Sequence, residues 1–239
     1  MLSDIAPDYT CVAFDLKAPT FRHQMFSEYK AGRKGMPPEL AEQMPIMKNI
    51  LRLMGYQVLE QEGYEADDIL GTLAELTRSK GGSCVIATGD RDSLQLVRDN
   101  VNVLLASTKM GRPQSVRYDC DKIKEEYFVS PEQMIDIKAL MGDTSDNVPG
   151  VKGIGEKSAY AYIQKFKSIE NLYENLSDDI IKPAARKKLE EGKDIIIFLE
   201  NTDISTSVTE EEKQQISEGK VSPIDIYEGI FDDKSTETK

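Results

Sequence analysis

Several residue types that often carry chemistry are scarce or absent in this 239-residue sequence. It contains no tryptophan, one histidine (His23) and three cysteines (Cys11, Cys84 and Cys120). A single histidine excludes a histidine-based metal cage and a catalytic histidine pair. The three cysteines are widely spaced and lie in mostly apolar surroundings, so they predict buried thiols rather than a disulfide framework or a zinc site.

Long apolar runs are missing as well. None approaches the roughly 20 residues that cross a bilayer, and the first four residues lack the basic and then apolar pattern of a signal peptide. We therefore expect a cytoplasmic protein without a membrane partner. Since 39% of the residues are hydrophobic, the chain can form one good core and a small second subdomain.

The charge of the chain is strongly negative but unevenly distributed. A net charge of -12 argues at first against a nucleic-acid partner, because proteins that bind nucleic acids usually have a basic balance. Acidic residues dominate residues 201–239, whereas residues 17–34 are locally basic. The net charge therefore does not reveal the basic segment, and it also counts any carboxylates that bind metal. It does not exclude a nucleic-acid partner.

Three carboxylates, Glu65, Asp67 and Asp68, lie within four residues just before an apolar pattern of helical spacing. A helix N-terminus favours one or two acids through its dipole, which gives a purely structural interpretation. Three acids need a further reason, because crowded carboxylates repel each other. A hard divalent cation between them would relieve the repulsion, and oxygen ligands suit magnesium or manganese.

The order of predicted elements indicates an α/β core followed by a helical unit. The predicted strands cover residues 8–15, 56–59, 83–88, 101–106 and 115–118. The predicted helices cover residues 38–54, 66–76, 130–142, 158–166, 168–176 and 182–199. Alternating strands and helices favour right-handed crossovers, and so we predict a mostly parallel sheet with helices on both faces.

The first long helix, residues 38–54, begins at a pair of prolines and ends before Gly55, both common helix boundaries. Its apolar residues have the spacing of a single helix face. That face consists of Leu40, Met44, Met47, Ile50, Leu51 and Met54. We expect it to be buried in the core.

Further acids follow the predicted strands. Asp15 ends the first strand, and Asp90 and Asp92 follow the strand at residues 83–88. The carboxyl ends of parallel strands meet at one edge of a sheet, where α/β proteins bind ligands. These acids and those at the start of the helix at 66–76 can therefore face one another, which strengthens the interpretation as a metal site.

Apolar periodicity disappears between residues 17 and 38, where basic and aromatic residues crowd together. They include Arg22, His23, Tyr29, Lys30, Arg33 and Lys34. One interpretation is a solvated surface loop. The other is a flexible arm that contacts phosphates, because aromatic groups are interleaved with the positive charges.

A glycine-rich turn at residues 150–155 lies between two predicted helices. Its glycines flank the apolar Val151 and Ile154, so its backbone amides point outward next to a helix N-terminus. Lys152 and Lys157 add positive charge. The turn does not match the GxxxxGK[ST] phosphate loop, but a helix, a glycine hairpin and a second helix can hold a DNA backbone without reading its bases.

Taken in order, these motifs resemble the 5′-3′ exonuclease domain of bacterial DNA polymerase I and the related flap endonucleases. The matching stretches are Phe14-Asp15, Phe21-Arg22, Tyr29–Arg33, Tyr64–Asp68, Thr88–Asp92, Gly142–Asn147 and Gly150–Gly155. The resemblance covers roughly residues 8–200. It implies a PIN-like nuclease core at 1–135 with a basic arch near 17–38, a helix-hairpin-helix subdomain at 136–200 and an acidic tail at 201–239.

The resemblance also implies an activity. Members of the family remove 5′ flaps or RNA primers and cut DNA in replication and repair with two magnesium or manganese ions. The family's metal-site carboxylates fall on Asp15, Glu65, Asp67, Asp68, Asp90, Asp92, Asp143 and Asp146. The basic residues of the family's arch match Lys30 and Arg33, with Arg22 nearby. The resemblance therefore implies that these three residues are the catalytic cations.

The same resemblance implies which residues hold DNA with a 5′ flap, a nick or an RNA primer. The glycine hairpin is similar to the family's helix-hairpin-helix, which grips duplex DNA and often holds a potassium ion. The residues expected to contact DNA are Tyr29, Lys152, Gly153, Gly155 and Lys157.

One departure from the family leaves alternatives open. The family begins with a central strand that ends in Asp-Gly-Asn and supplies a metal ligand, and this sequence starts after it. We therefore expect a shortened or stand-alone nuclease domain. A catalytically impaired module that binds DNA junctions is the alternative function, and a PIN-type ribonuclease is a third, although the glycine hairpin argues against it.

Overall fold

The computed structural model describes residues 2–193. The predicted acidic tail at 201–239 and the end of the predicted helix at 182–199 lie outside this range. The helices are α1 (Leu2–Ile5), α2 (Phe21–Met25), α3 (Pro38–Leu53), α4 (Ala66–Ser79), α5 (Cys120–Tyr127), α6 (Gln133–Met141), α7 (Glu156–Phe166), α8 (Ile169–Glu174) and α9 (Pro183–Glu191). The strands are β1 (Cys11–Ala13), β2 (Gln57–Leu59), β3 (Cys84–Thr88), β4 (Val101–Lys109), β5 (Arg112–Tyr118), β6 (Gly142–Asp143) and β7 (Val148–Pro149).

The first half of the chain is an α/β core, as predicted, but its sheet is divided. Strands β1 and β2 form one parallel pair. Strand β3 pairs in parallel with β4, which continues into an antiparallel hairpin with β5 around Gly111. Within residues 2–193 no ladder of hydrogen bonds joins β1 to β3. The core therefore contains two small sheets where one continuous sheet was expected.

Helix α4 brings the two sheets to one place. It packs against both β1 and β3, and its residues Ile69, Ala74 and Leu76 are buried. The carboxyl ends of β1 and β3 consequently lie next to the N-terminus of α4. The residues that follow these two strands include Asp15 and Asp90, so the packing of α4 positions the acids predicted to meet.

The apolar core of this half lies between α4, the 3-10 helix at Asp92–Leu96 and the second sheet. Its buried members are Ala74, Ile86, Leu94, Leu96, Val97, Val101, Val103, Leu105, Tyr118 and Ile123. Alternate residues of β4 up to Leu105 are buried, whereas residues 106–117 of the β4–β5 hairpin are exposed. The hairpin therefore extends beyond the core.

The second half is a helical unit with its own core, and the predicted change to helices after residue 119 is confirmed. Helices α6 and α7 pack together, and α7 packs on α8. The buried apolar residues include Leu140, Ile154, Ile163, Leu172 and Leu189. The strand pair β6–β7 joins only residues 142–143 to 148–149, and it closes the loop that carries Asp143 and Asp146.

The prediction that α3 buries an apolar face is wrong. The helix forms over the expected range, but none of its residues is buried. Met47 and Ile50 are about half exposed, and Leu53 and Met54 are more exposed still. Apolar periodicity specifies which residues share a helix face, but burial also needs a neighbouring element. Among residues 2–193, the main contact of α3 is with the short strand β2.

The three cysteines are free and half-buried, so they are more exposed than the buried thiols that the sequence predicted. Burial raises the pKa of the Cys84 thiol to about 11, and the neighbouring Cys11 adds to this shift. No helix within residues 2–193 is long and apolar enough to cross a membrane.

Candidate metal centre and nucleic-acid interface

The first turn of α4 separates its three acids. Glu65 is the N-cap residue, and the amide of Glu65 donates a hydrogen bond to Asp68 Oδ2 at 2.9 Å. This capping arrangement turns Asp68 toward the protein interior, where it is fully buried. Glu65 and Asp67 instead line a cavity of about 140 Å³. The helix start therefore presents two of its three carboxylates to the candidate site.

Asp68 is bound by the arch residue Arg22. The two guanidinium nitrogens of Arg22 donate to the two carboxylate oxygens of Asp68 at 2.8 and 2.7 Å. Arg22 is itself only 4% exposed. Although burial opposes it, this pairing raises the pKa of Arg22 above its ordinary value. The structure differs here from the expected roles, since it places Asp68 outside the cavity and commits Arg22 to a buried ion pair.

The cavity gathers the remaining predicted acids from four parts of the chain. Seven carboxylates line it: Asp15, Glu65, Asp67, Asp90, Asp92, Asp143 and Asp146. Four cationic side chains line it as well: Arg22, Lys30, Arg33 and Lys138. The α/β core supplies the first five acids, β6 supplies Asp143, and the loop after β6 supplies Asp146. The cavity thus lies where the two halves meet.

Asp67 is at the most crowded point of this cluster. Burial raises the pKa of Asp67 to about 6, and the nearby charges of Asp90 and Asp15 contribute to the shift. A hydrogen bond from Ser93 Oγ at 3.3 Å opposes it. Burial and the neighbouring acids both disfavour the ionised form of Asp67, and a divalent cation beside it would offset both effects.

The neighbours of Asp67 are fixed by backbone contacts. Asp15 Oδ1 accepts a hydrogen bond from the amide of Ala66 at 2.7 Å, which joins the end of β1 to the start of α4. Asp90 Oδ1 accepts one from the amide of Asp92 at 2.9 Å, which holds the turn after β3. The acids that follow both strands are therefore oriented by local structure, as expected for residues at a strand-to-helix turn.

The basic segment is attached to the acidic cavity rather than free in solvent. Lys30 Nζ donates to Glu65 at 2.7 Å and lies 3.8 Å from Asp146. The amide of Lys30 donates to the carbonyl of Asp146 at 2.8 Å. Arg33 forms an ion pair with Asp146, and Asn147 donates to the carbonyl of Glu28 at 2.7 Å. The arch therefore closes against the β6–β7 loop.

Tyr29 takes part in the same closure. Its ring is 6% exposed, and its hydroxyl contacts Glu65 at 3.2 Å and Asp146 at 3.1 Å. Burial and these two carboxylates raise the pKa of Tyr29 above its ordinary value. A DNA contact by Tyr29 stays a prediction, and the ring is not presented for base stacking in this arrangement.

Lys138 is a site residue that the sequence motifs did not predict. It projects from α6 and pairs with Asp92 and with Asp143, the latter at 2.9 Å. Although burial of Asp143 opposes it, contacts with Ser145 and Lys138 lower the pKa of Asp143 to about 2. A signal was available, because Lys138 is the only basic residue in the mostly apolar helix at residues 133–141.

The glycine hairpin has the predicted form. Val151 and Ile154 are buried in the helical core, while Lys152, Gly153, Gly155 and Lys157 are exposed. Gly155 is the N-cap residue of α7, so the backbone amides of that first turn face the hairpin surface.

Two glycines of the hairpin are required by geometry. Gly153 has a φ of +86°, and a Cβ there would overlap the end of the Lys188 side chain. A Cβ at Gly150 would overlap the backbone of Gly142 and Met141, where β6 and β7 meet. Lys188, on α9, therefore adds a third exposed lysine to the hairpin surface, which the sequence pattern did not indicate.

The donor set of the cavity fits a hard divalent cation in its chemistry. Its acidic groups are carboxylates, burial and then the charges of Asp90 and Asp15 raise the pKa of Asp67, and the buried Oε1 of Gln95 lacks a hydrogen-bond partner within residues 2–193. Across that range, no three acidic, histidine or cysteine side chains are placed to hold one ion together. Lys30, Arg33 and Lys138 instead contact the acids, so a bound ion would replace these contacts.

An acidic edge on an α/β core, followed by a helical unit with a glycine hairpin, defines a resolvase-like nuclease fold joined to a SAM-like helical fold. The chain belongs to the 5′-3′ exonuclease family. Residues 1–128 match the N-terminal resolvase-like domain of 5′-3′ exonucleases, and residues 129–220 match the C-terminal SAM fold.

Relatives and solved structures agree with this family. DNA polymerase I of Caldicellulosiruptor bescii is 47% identical over 189 residues, which is 79% of this chain and 22% of the polymerase. The chain thus spans about a fifth of the length of that relative. The structure of bacteriophage T5 5′-exonuclease with bound zinc has a TM-score of 0.72 at 23% identity and covers 94% of this chain and 86% of its own.

A second solved structure is described as a T5 flap endonuclease in a pseudo-enzyme-product complex with DNA and metal ions. It has a TM-score of 0.72 at 22% identity, over 95% of this chain and 87% of its own. At this identity the two T5 structures show the fold, and they agree with the predicted α/β core and helical unit.

Proposed function

We propose that this chain is a 5′-3′ exonuclease and structure-specific 5′ flap endonuclease that acts on DNA in replication and repair. The observation that carries this proposal is the cavity in which seven carboxylates from both halves of the chain meet four cationic side chains. Membership of the 5′-3′ exonuclease family supports it.

The proposed cofactors are two magnesium or manganese ions. Asp15, Glu65, Asp67 and Asp90 surround the start of α4 and would hold one ion. Asp92 and Asp143, which meet at Lys138, would hold the other, and Asp146 would join the first set, because it shares Lys30 with Glu65. Two such ions would supply an activated water and would stabilise the leaving oxygen. We propose Asp68 as a residue that positions Arg22 and Glu65, because both its oxygens face Arg22.

Lys30 and Arg33 are the proposed catalytic cations. Both reach the cavity from the arch, and the side chain of Arg33 is 50% exposed. A scissile phosphate that entered the cavity would replace Glu65 and Asp146 as the binding partner of Lys30 and Arg33. Positive charge fixed beside the phosphate then offsets the charge that develops on it during cleavage. Arg22 would not contact the phosphate, and its role would be to hold Asp68.

The glycine hairpin is the proposed contact with duplex DNA. Lys152, Lys157 and Lys188 place positive charge around the exposed amides of Gly153 and Gly155, and this suits a phosphate backbone rather than a base sequence. The hairpin is also the proposed site of a potassium ion. Substrates with a 5′ flap, a nick or an RNA primer would place their duplex on this surface and their 5′ strand in the cavity.

The experiment is cleavage of a 5′-labelled flap duplex with magnesium, with manganese and with chelator, alongside a binding titration on the same duplex. We expect cutting near the junction that requires the metal. The variant Asp15→Ala/Asp67→Ala should bind the flap without cutting it, whereas the exposed Asp121→Ala should behave like the wild type. Cleavage that survives in the double variant, or cleavage of RNA alone, would contradict the proposal.

A second candidate function, binding of DNA junctions without cleavage, is favoured by one observation. Four of the seven acids, Glu65, Asp92, Asp143 and Asp146, are paired with the protein's own cations, and no three acids within residues 2–193 are arranged around one ion. Tight binding of the flap by the wild type with no metal-dependent cutting would establish this candidate in place of the nuclease.

A further inference from the structure

Helix α6 contributes a charged side chain to the boundary between the two halves of the chain. Lys138 lies between Ile137 and Ala139, which are both buried, and its own side chain is 31% exposed. Helix α6 packs against the 3-10 helix at residues 92–96 and against α7. The side chain of Lys138 therefore projects from an apolar helix at the boundary between the α/β core and the helical unit.

The ammonium group of Lys138 joins one acid from each half. It forms an ion pair with Asp92 at the start of the 3-10 helix, and Nζ lies 2.9 Å from Asp143 Oδ2. The other oxygen of Asp143 accepts hydrogen bonds from the amide of Ser145 at 2.8 Å and from its hydroxyl at 2.6 Å. The side chain of Asp143 is only 14% exposed. Because Ser145 already binds Oδ1, Oδ2 is the oxygen that a cation can reach, and Lys138 contacts it.

The two ends of the cavity therefore have different cations. Lys30 and Arg33 reach Glu65 and Asp146 from the arch, and a phosphate could draw them away. Lys138 is fixed in the middle of a packed helix. A divalent ion that binds Asp92 and Asp143 must displace the ammonium group from both acids, because a lysine and a metal ion compete for the same carboxylate oxygens.

We propose that Lys138 is a positioning residue that acts as a built-in cation between Asp92 and Asp143. It holds these acids together across the boundary when no metal is bound, and it sets the affinity of this half of the centre for a divalent ion by competing with it. The proposal rests on the proposed two-metal function and names what controls one of its two ions. It predicts one tight and one weak divalent site.

The test is a manganese titration of the full chain without DNA, followed by electron paramagnetic resonance of free Mn²⁺. In Lys138→Met we expect the weaker site to bind Mn²⁺ about tenfold more tightly, which corresponds to about 1.4 kcal/mol and is the order expected when one unit charge a few ångströms away is removed. Lys138→Arg, which keeps the charge, should retain the weak site. The matched control is Lys122→Met on α5, which removes a lysine whose ion pair is with the exposed Glu125.

A second readout separates this role from a structural one. In the flap assay, Lys138→Met should reach half-maximal cleavage at a lower magnesium concentration than the wild type. Equal or weaker Mn²⁺ binding by a folded Lys138→Met variant, with the wild type still binding two ions, would overturn the inference and leave the nuclease proposal intact. Absence of Mn²⁺ binding by the wild type would overturn the metal centre, and this inference with it.

Discussion

The interior side and the cavity side of the first turn of α4 carry neighbouring acids in opposite environments. Asp68 is fully buried, with both oxygens bound by Arg22. Asp67 is half-buried, faces Asp15 and Asp90, and has a pKa raised to about 6. One negative charge is matched by a fixed cation, and the other is left with like charges around it.

This difference shows how one short motif can serve two purposes. A buried carboxylate with a bidentate arginine stabilises the entry of α4 and fixes the arch on the core, because breaking such a pair leaves a charge buried alone. A carboxylate crowded by others costs stability, and that cost is useful only if a cation binds there. We therefore expect substitutions on the interior side to affect stability most, and substitutions on the cavity side to affect chemistry.

The largest effect on stability is expected for Asp68→Ala. It leaves Arg22 buried without its bidentate partner, and so the free energy of unfolding should fall by about 3–5 kcal/mol. Urea denaturation of the metal-free protein measures this change. The second variant, Arg22→Met/Asp68→Leu, removes both charges and should recover much of the loss, because no isolated charge remains.

Asp121→Ala, on the exposed surface of α5, is the control for Asp68→Ala and should change stability by less than about 0.5 kcal/mol. A well-folded Asp68→Ala variant of unchanged stability that loses metal-dependent cleavage would break the comparison. Asp68 would then join the metal ligands, as the sequence resemblance predicted.

The sequence could predict the elements that carry the site but not every partner within it. The apolar spacing after Glu65 predicts α4, and acids after β1 and β3 predict a shared edge, since both are local patterns. The role of Asp68 depends on Arg22, which is 46 residues away in sequence.

The exposed face of α3 and the buried ring of Tyr29 have the same explanation. The local pattern predicts the helix α3, and it predicts a basic and aromatic segment around Tyr29. Whether the residue is exposed depends on which distant segment packs against it, here the short β2 beside α3 and the β6–β7 loop beside Tyr29. The local sequence pattern does not specify which distant segment packs against a residue, and so these exposures could not be predicted.

A smaller effect, on the cavity side, is a pH dependence of stability that belongs to Asp67. Its pKa in the folded protein, about 6, is above the ordinary value of 3.8. The stability it contributes is therefore fully present below pH 3.8 and is lost as the pH rises through 6. Partial exposure of Asp67 limits the expected loss to about 2 kcal/mol.

Urea denaturation of the metal-free protein between pH 4 and 7 checks this prediction. Asp67→Asn should flatten the decline, while the exposed Asp121→Asn should retain it. The opposite contribution of Asp143, whose pKa is lowered to about 2, falls mainly below pH 4 and does not overlap the window. If the free energy of unfolding of Asp67→Asn declined by the same amount over this pH range, the pH dependence would belong to a group other than Asp67.

The smallest expected effect concerns the hydroxyl of Tyr29, which joins the cavity side of α4 to the helical unit through Glu65 and Asp146. Tyr29→Phe keeps the buried ring and removes only these contacts, so the free energy of unfolding should fall by about 1 kcal/mol. Tyr9→Phe, at a residue that is 95% exposed, should have no effect in the same urea titration. A loss as large as that of Asp68→Ala would contradict the distinction between the two sides, because it would mean that the cavity side also holds the fold together.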